Sequence, residues 1–550
     1  MKTQTPNNTS YDVIIIGGAM MGASAAWFLS DDKDFDGRVL VVDRDLSYEN
    51  TSTMHTNSCM RQQFSGELNV RISQFAADFV KNLPRYMGND DRVPELSIRS
   101  FGYMYLADNE GFADVLRESQ QVQLAAGAAT QLMTPDQIKS AYPFYNVDDI
   151  VLGSINLVDE GFWDATAVFD WWRKSARERG VEYIENEVIA VNKNAAGTRV
   201  ESVTLKSGEV IACGQVLNAS GPRAAATAQM AGIQVPVEPR KRYSWIFSAE
   251  QPLDRDLPLT IDPSGVHVRE NGGGTYQCGG HSDIDPAVEP DDFIMDHSMW
   301  ENHVWPILAT RIPQFEAIKV QSEWAGHYAY NTFDHNAILG PHMEVENFFF
   351  LNGFSGHGLQ QSPAMGRGTA EIMVHGKYQT LDMTQFHFDR IPAGRKIIES
   401  WQQTRLPRLW PLVTSRSGYG SALSSAFVAE VTAPAGYDWA LIDMEHSPND
   451  YFSVLGQLQA FANSDTTAIV RVEWNDPVAV KRLLDLGAPG ILFPMIQSVE
   501  EAKMAVAATR YPPHGVRGVS GAPRATKFGR VTDYVSLVED ETAVLLQLET

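Results

Sequence analysis

The feature that most constrains the fold is an apolar run broken by glycines, Tyr11–Leu29 (YDVIIIGGAMMGASAAWFL). Within it, Val13–Ile16 is typical of a buried parallel strand, and Ala23–Leu29 favours the helix that follows. A glycine turn between them places an anion at the helix N-terminus. Backbone N–H groups there lack intrahelical partners, and the helix dipole favours negative charge. The run therefore predicts a nucleotide-binding βα turn.

A second apolar strand, Arg38–Asp43 (RVLVVD), ends in a carboxylate about 26 residues after Gly17, near the spacing at which such a group accepts from a ribose hydroxyl. The G-x-G-x-x-G fingerprint is incomplete because Ala19 occupies its middle position. A buried βα unit with an incidental glycine turn is the alternative. A membrane span is not expected, since about 17 apolar residues fall short of the ~20 that a span needs. The cofactor-binding residues predicted here are Gly17, Gly18, Ala19, Gly22, Asp43 and Arg44.

Composition limits the partners and the compartment. A formal net charge of −24 over 550 residues disfavours nucleic acid and anionic membranes, which both need a basic face. The three cysteines lack metal-binding spacing and indicate a reducing compartment. The opening MKTQTPNNTS resembles neither a secretory nor a mitochondrial signal, so we expect a cytoplasmic protein.

After the second strand, the polar segment Ser52–Ser65 (STMHTNSCMRQQFS) carries a more specific signal. Together with the opening turn it resembles the D-amino-acid-oxidase superfamily of flavoproteins, in the branch of sarcosine oxidase, dimethylglycine dehydrogenase and the FAD-dependent oxidoreductase domain-containing proteins. The resemblance covers roughly Tyr11–Ile391 and implies bound FAD. Further segments that agree with it are Val158–Trp172, Val181–Val191, read as one strand reaching over the adenine, Val216–Arg223 and Pro236–Phe247.

The most telling segment is a second glycine-rich turn in Asn352–Arg367 (NGFSGHGLQQSPAMGR). It opens a helix, so its free N–H groups can face an electron-rich atom. In the resembling family that atom belongs to the pyrimidine end of the flavin. His357 has an alternative as an ordinary turn histidine. The further flavin contacts implied by the resemblance are His55, Val188, Ser220, Gly221, Gly353, Gly356, His357, Gly358 and Leu359.

The resemblance implies oxidation of a C–N bond: a hydride passes from the carbon to the flavin, and the imine hydrolyses. Arg61 in RQQF matches the family's R-x-x-[YF] element, whose arginine grips the substrate carboxylate, with a structural salt bridge as the alternative. Tyr328 and Tyr330 either cap the substrate or pack within a sheet. Gln360 stands where sarcosine oxidase has a lysine suited to O2 reduction, which favours a dehydrogenase with an electron-transfer partner.

His55 raises the question of a covalent flavin. The segment STMH resembles the S-T-W-H of dimethylglycine dehydrogenase, whose histidine bonds the flavin, whereas the rest of the region resembles non-covalent relatives. Both interpretations stay open. The cysteine linkage of sarcosine oxidase is excluded, since His327 lies near that place and the stretch has no cysteine. Cys59 is interpreted as a small apolar residue near the flavin.

From about Pro392 the chain changes character, and short apolar strands alternate with helical segments, which predicts a parallel βα array with a site at the strand C-termini. Gly418–Thr550 resembles the HpcH/HpaI class II aldolases, which cleave 2-oxo acids with a divalent metal. The resemblance implies an acid/base pair, an arginine that polarises the 2-oxo group, a substrate-contacting glutamine and a carboxylate ligand for Mg²⁺ or Mn²⁺; these are Asp443 with His446, Arg471, Gln547 and Glu549. The family's second carboxylate ligand is missing, so we expect a truncated, metal-free and inactive half-barrel.

The predicted fold class is α/β: a Rossmann-type FAD-binding domain interleaved with an antiparallel-sheet substrate domain, followed by a partial (β/α)8 barrel. The FAD-binding parts are expected at 10–95, 150–235 and 330–390, the substrate domain at 96–149 and 236–329, a linker at 392–417 and the half-barrel at 418–550. The leading function is oxidation of an amino acid or N-methylated amine. The alternatives are an O2-using oxidase, a non-catalytic assembly factor of the same fold, and a bifunctional oxidoreductase and aldolase.

Overall fold

The computed structural model describes residues 3–282, 285–397, 399, 418–421, 424–433, 437, 439–462, 464, 466–531, 534 and 542–548. The chain divides into two compact units, Met1–Thr404 and Arg405–Thr550. Most of the linker predicted at 392–417 lies outside the described residues.

The first unit combines helices with strands of two large sheets. Its described strands are β1 (Ser10–Ile16), β2 (Val39–Asp43), β3 (Cys59–Met60), β4 (Tyr103–Ala107), β5 (Gln131–Met133), β6 (Leu152–Asn156), β7 (Gly161–Phe162), β8 (Glu182–Glu185), β9 (Val188–Lys193), β10 (Val200–Leu205), β11 (Val210–Asn218), β12 (Val237–Ala249), β13 (Leu259–Ile261), β14 (His267–Gly272), β15 (Thr275–Gly280), β16 (Ile318–Asn331), β17 (Ile338–Pro341) and β18 (Phe348–Asn352). Its described α-helices are α1 (Met20–Asp31), α2 (Glu67–Lys81), α3 (Leu83–Tyr86), α4 (Glu110–Ala125), α5 (Pro135–Ala141), α6 (Ala165–Glu178), α7 (Ala224–Met230), α8 (Trp305–Arg311) and α9 (Gly358–His375).

The first sheet has the order β17-β18-β11-β1-β2-β8, with β10 joining β11 to β9. The strands β18, β11, β1, β2 and β8 run parallel. Side chains alternate between two buried clusters: Val13 and Ile15 face the cluster that holds α1, whereas Ile14 and Ile16 face the opposite one. From β1 the chain continues through α1 to β2, which lies on one side of β1. The much later strand β11 lies on its other side. The carboxyl edge at β1 is therefore a topological switch point, where such sheets bind ligands.

The second sheet has the order β16-β12-β15-β14-β13-β4-β6-β5 and is antiparallel except between β13 and β4. One face packs into a hydrophobic core that includes Met104, Trp245, Phe247 and Val268. Cross-strand pairing places a different set of side chains on the opposite face, which we call the inner face. Its residues include Tyr103, Tyr105, Leu259, Ile261, Arg269, Gln277, Ser244, Gly326 and Tyr328.

The predicted combination of a Rossmann-type sheet and an antiparallel sheet is confirmed, but Val181–Val191 is not one strand as predicted. It forms β8 and β9, separated by Asn186 and Glu187. Asn186 is fully buried, and its side chain donates to Gln4 O at 2.8 Å and to Ser207 Oγ at 2.6 Å. These bonds fix a turn that the apolar pattern does not reveal.

The second unit contains a parallel sheet in chain order: β19 (Gly418–Ser421), β20 (Trp439–Asp443), β21 (Thr467–Arg471), β22 (Gly490–Ile496) and β23 (Ala543–Leu548). The described helices are α10 (Ala426–Thr432), α11 (Tyr451–Phe461), α12 (Pro477–Asp485) and α13 (Val499–Thr509). Side chains at the N-caps of these helices explain where they begin; Asp450 accepts from Ser453 N–H at 2.8 Å. Within the described residues, no pairing of β19 with β23 closes the sheet into a barrel.

No helix in the described parts of the chain is both long enough and apolar enough to span a membrane.

Candidate active site

The first glycine turn joins β1 to α1 at the carboxyl edge of the parallel sheet. Gly17 has φ +99°, and a Cβ on Gly22 would lie 1.9 Å from the Gly17 carbonyl oxygen. Ala19 caps α1 with φ −68° and ψ −165°, a conformation that alanine adopts freely, which explains why the fingerprint tolerates it. The Ala19 side chain forms no capping hydrogen bond. In the first turn of α1, the Met20 N–H donates to Thr53 Oγ1 at 3.2 Å. The remaining first-turn donors suit a phosphate.

Asp43 ends β2 beside this turn. Its Oδ2 accepts from Gly18 N–H at 2.6 Å, and burial raises its pKa. The carboxylate has further lone pairs for a ribose hydroxyl. Arg44 forms an ion pair with Glu187 at 3.5 Å. The fully buried Tyr48 hydroxyl lies 2.7 Å from the place of a Gly18 Cβ and has no hydrogen-bond partner among the described residues, so it fits a polar ligand at this edge.

The second glycine turn joins β18 to α9. Gly353 has φ +70° and Gly356 has φ +96°. A Cβ on Gly356 would lie 2.3 Å from the Tyr328 ring, so the turn and the inner face are in close contact. His357 is the N-cap of α9 without a side-chain capping bond, and Gly358 is its first residue. The turn thus presents a helix N-terminus towards the inner face.

The segment after β11 lies between the two turns. Ser220 Oγ donates to Asn218 Oδ1 at 2.7 Å, and Gly221 has φ +57°. Asn352 Nδ2 donates to the same oxygen at 3.3 Å, while its buried Oδ1 has no partner in the described part of the chain. The N-termini of α1 and α9 therefore lie along the carboxyl edge of one sheet. Two buried polar atoms without partners among the described residues, the Tyr48 hydroxyl and Asn352 Oδ1, lie near them. This donor set fits FAD, which carries a pyrophosphate and polar groups at both ends.

Two predicted cofactor residues lie in the protein interior. Val188 begins β9, pairs with Leu205 and is 4% exposed in the cluster on the side of Ile14 and Ile16. Leu359 is partly buried against the cluster that holds α1. Both side chains therefore contribute to hydrophobic packing.

Arg61 joins parts of the chain that are about 300 residues apart. Its backbone N–H donates to Gln360 Oε1 at 2.8 Å, and its guanidinium donates to His357 Nε2 at 2.9 Å and to the Tyr103 hydroxyl at 3.3 Å. The guanidinium carbon also lies 4.7 Å from the Phe64 ring centroid and 5.5 Å from that of Tyr105. The side chain is 7% exposed. These residues form a buried, positively charged cluster, the Arg61 cluster, between the inner face and the second glycine turn.

A buried polar network holds the Arg61 segment in place. Glu160 Oε1 accepts from Gln62 N–H at 2.6 Å and from Asn156 Nδ2 at 2.9 Å, while its Oε2 accepts from Gln63 Nε2 at 3.0 Å. Burial raises the pKa of Glu160 to about 8. The network thus positions Gln62 and Gln63, the two residues between Arg61 and Phe64.

His55 packs against β16 of the inner face. A Cβ on Gly326 would lie 2.7 Å from the Cβ of His55, and the His55 Nδ1–H donates to Thr51 O at 2.9 Å. Phe293 stacks between His55 and His327, with centroid distances of 5.6 and 4.3 Å. The Nδ1 bond leaves Nε2 as the unprotonated nitrogen of a neutral His55 ring.

The two predicted tyrosines of β16 differ in their surroundings. Tyr328 packs on the second glycine turn, with the Arg242 guanidinium 4.5 Å from its ring centroid. The Tyr330 hydroxyl bonds His335 Nε2 at 2.7 Å, and Arg240 lies 4.5 Å from its ring centroid. Tyr328 is therefore next to the Arg61 cluster through Gly356, while Tyr330 is held at the end of the strand.

Sequence reasoning missed Tyr103, Tyr105 and Glu160 as parts of this site. The two tyrosines alternate in YMYLA, a period-two signal that places both on one face of a strand but does not say which partner they meet. Burial raises the pKa of the Tyr103 phenol well above its usual value, so it remains neutral. Glu160 precedes Gly161, whose φ of +143° brings the chain against Arg99.

The second unit has its own cluster at the strand C-termini. Arg471 donates to both oxygens of Asp443 at 2.9 and 2.7 Å and to Gln547 Oε1 at 3.4 Å, and it lies 3.0 Å from Glu445. Burial would raise the pKa of Asp443, but Arg471 and two backbone N–H groups lower it below its usual value. The His446 side chain is 71% exposed and lies 3.5 Å from Glu445, so its ring is not paired with Asp443. Glu549 lies outside the described residues.

Comparisons with known proteins cover both units. The profile of the DAO family, described as FAD dependent oxidoreductase, matches residues 12–372, and that of HpcH/HpaI aldolase/citrate lyase matches residues 416–550. FAD-dependent oxidoreductase domain-containing protein 1 of Xenopus laevis is 36% identical over 420 residues, covering 70% of this chain and 84% of that protein.

Two further comparisons concern the C-terminal unit and the fold. The pyruvate aldolase of Rhizobium etli is 54% identical over 136 residues, which are 25% of this chain and 54% of that protein. This chain thus spans about half the length of that aldolase. The crystal structure of L-proline dehydrogenase from P. horikoshii is similar with a TM-score of 0.61 at 23% identity, covering 70% of this chain and 99% of that one.

Proposed function

This chain belongs, over residues 12–372, to the DAO family of FAD-dependent oxidoreductases, and we propose that it oxidises the C–N bond of an amino acid or an N-methylated amine. The main support for the proposal is that Arg61 forms hydrogen bonds with His357 and Gln360 beneath the inner face. This contact places a guanidinium beside the helix N-terminus that would hold the flavin ring.

The residues that would hold FAD are those of the two glycine turns, with Asp43 and Tyr48 at the adenosine end and Asn352 between the turns. When bound, FAD supplies the oxidising power by accepting a hydride from the carbon next to the substrate nitrogen. The protein contributes orientation, charge and exclusion of water.

Arg61 is the group that binds the substrate carboxylate in this proposal. Its planar fork of N–H donors matches a carboxylate bidentately, which lysine cannot do. His357 and Tyr103 accept from the guanidinium and fix its orientation. The rings of Phe64 and Tyr105 exclude water from the cluster, which strengthens the charge interaction.

We further propose a dehydrogenase that passes electrons to a carrier protein. The Gln360 amide is neutral, and the neighbouring Arg61 guanidinium is the group that pairs with the substrate carboxylate, so position 360 adds no further cation to stabilise superoxide formed from O2.

Substitution of Arg61 tests the substrate-binding role. An anaerobic screen of amino acids and N-methyl amino acids, read by bleaching of the visible flavin band, first identifies a substrate. Arg61→Ala should then raise KM for it by on the order of 10²-fold, because a buried charge-assisted pair is worth about 2–4 kcal/mol. FAD content should stay at the wild-type level.

Arg255→Ala is the matched control, since Arg255 forms a surface ion pair with Asp254 at 2.9 Å. It should leave KM unchanged. An unchanged KM in Arg61→Ala, or no bleaching by any carboxylate-bearing amine, would contradict the proposal.

A further inference from the structure

A second buried guanidinium, that of Arg269 on β14, lies on the inner face. The residue is 4% exposed. Its Nη1 donates to Glu270 O at 2.7 Å and to Asn271 Oδ1 at 3.2 Å, and its Nη2 donates to Gln277 Oε1 at 2.5 Å. Its buried Nε has no hydrogen-bond partner, and no ion pair of Arg269 occurs among the residues that the structure describes.

Two structural relations place Arg269 near the Arg61 cluster. On the inner face, β14 is two strands from β4, which carries Tyr103. Beneath the face, the Arg269 guanidinium carbon lies 5.2 Å from the ring centroid of Phe162, and Phe162 pairs with Cys59, two residues before Arg61. Since strands are spaced about 4.8 Å apart, β14 and β4 are about 10 Å apart.

The buried positive charge of Arg269 calls for a negatively charged partner. Burying a guanidinium without a counter-ion in direct contact is costly, and burial lowers the pKa of Arg269 from its usual value. The Glu270 carboxylate attracts Arg269 without forming an ion pair with it, and lies 4.0 Å from the Arg99 guanidinium instead. The neighbouring thiol of Cys59 cannot supply the negative charge, since burial raises its pKa to about 12. The carbonyl and amide oxygens that accept from Arg269 are uncharged. An anion brought by a ligand would both neutralise the charge and use the remaining Nε–H donor.

We propose that Arg269 binds a second carboxylate of the substrate, so that the substrate is an amino or N-methylamino dicarboxylic acid held by Arg61 at one end and Arg269 at the other. The inference rests on the proposed function for the role of Arg61. Arg269 and Tyr103, the hydrogen-bond partner of Arg61, lie on strands about 10 Å apart, a span within the combined reach of two arginine side chains and a ligand with a carboxylate at each end.

The first test is a specificity ratio in the FAD-loaded enzyme. Values of kcat/KM are measured for N-methyl-aspartate, N-methyl-glutamate and N-methyl-alanine. We expect the wild type to favour a dicarboxylate by about 30-fold or more, as expected for a buried charge pair. Arg269→Gln should reduce this ratio to about one. Arg117→Gln, which alters an exposed arginine paired with Glu110 at 3.0 Å, should keep the wild-type ratio.

The second test measures binding without turnover. The oxidised holoenzyme is titrated with glutarate and with butyrate, and the perturbation of the flavin absorption band gives Kd. Glutarate should bind about 30-fold more tightly than butyrate to the wild type, and the difference should vanish in Arg269→Gln. If that variant fails to retain FAD, Arg269→Lys replaces it and should weaken the preference.

The outcomes separate the two proposals. Tighter binding of glutarate with no oxidation of any amine would support the second carboxylate site and contradict the proposed function. Oxidation of N-methyl-alanine with equal binding of glutarate and butyrate would overturn the second carboxylate site alone. A wild-type specificity ratio near one, or an unchanged ratio in Arg269→Gln, would also overturn it.

Discussion

At the residue scale, substitution of Gln360 tests the proposed electron acceptor. It is 5% exposed, and its Oε1 accepts from Arg61 N–H. Gln360→Lys would introduce a cation beside the flavin site, so reoxidation of the reduced enzyme by O2 should accelerate by about tenfold or more. Stopped-flow absorption measures the rate. Gln360→Met, which removes the hydrogen bond without adding charge, should keep the slow wild-type rate; fast wild-type reoxidation would contradict the dehydrogenase assignment.

Glu160 gives a pH dependence of stability. Burial raises its folded-state pKa from 4.5 to about 8. The folded protein therefore binds more protons than the unfolded chain between these values, so the free energy of unfolding should fall as pH rises from about 4.5 to about 8. Thermal unfolding of the holoenzyme across this window measures the slope. Glu160→Gln removes the titrating group and should flatten it; parallel slopes in the two proteins would refute this origin.

Several candidate residues can be predicted from the sequence because they belong to short local motifs. Gly17 and Gly22 lie in one turn, and the RQQF motif identifies Arg61 as a candidate. The contacts of Arg61 with Tyr103 and His357 could not be derived in this way, since they depend on how three distant segments pack. Arg269 gave no local signal at all, because its position on the inner face follows only from strand register.

At the scale of elements, the βα turn between β1 and α1 depends on close backbone packing. Gly22→Ala would place a methyl group 1.9 Å from the Gly17 carbonyl oxygen, so the turn must open and FAD content should fall severely. The matched variant Ala19→Gly changes the middle fingerprint position, where the backbone is ordinary, and should retain FAD. The flavin-to-protein absorbance ratio of the purified variants measures both. Full FAD content in Gly22→Ala would contradict this account of the turn.

Element types were predictable where periodicity is strong, as in β1, α1 and the alternating strands and helices of the second unit. The break between β8 and β9 was not, because a buried asparagine fixes it through bonds to Gln4 and Ser207. Hydrophobic alternation reports which face is buried, but it does not report a turn stabilised by distant polar partners.

For the whole molecule, the sequence resemblance to two families is confirmed by the matches to residues 12–372 and 416–550. The Rossmann-type sheet and the inner face of the second sheet build the candidate site within the first unit. The register that builds the inner face joins the consecutive strands β12 to β15 to two strands that are distant from them in the chain, β4 and β16. Such non-local pairing explains why the architecture could be predicted from family motifs while the composition of the pocket required the structure.

The second unit leads to a prediction about metal-dependent aldolase activity. A divalent cation held by carboxylates needs two or more protein oxygens to compete with water. Arg471 lies 2.7 Å from an Asp443 oxygen and 3.0 Å from a Glu445 oxygen, so both carboxylates at these strand ends are engaged by one guanidinium. The sheet from β19 to β23 also has no closing strand pair among the described residues, whereas a (β/α)8 barrel holds its site with eight strands.

We therefore expect the 550-residue polypeptide to show no metal-dependent aldolase activity. The purified protein is incubated with pyruvate, an aldehyde and Mg²⁺ or Mn²⁺, and the condensation product is measured by chromatography. A full-length HpcH/HpaI aldolase under the same conditions is the positive control, and a chelator distinguishes metal-dependent turnover from background. Carbon–carbon bond formation that the chelator abolishes would contradict this expectation and would favour a bifunctional enzyme.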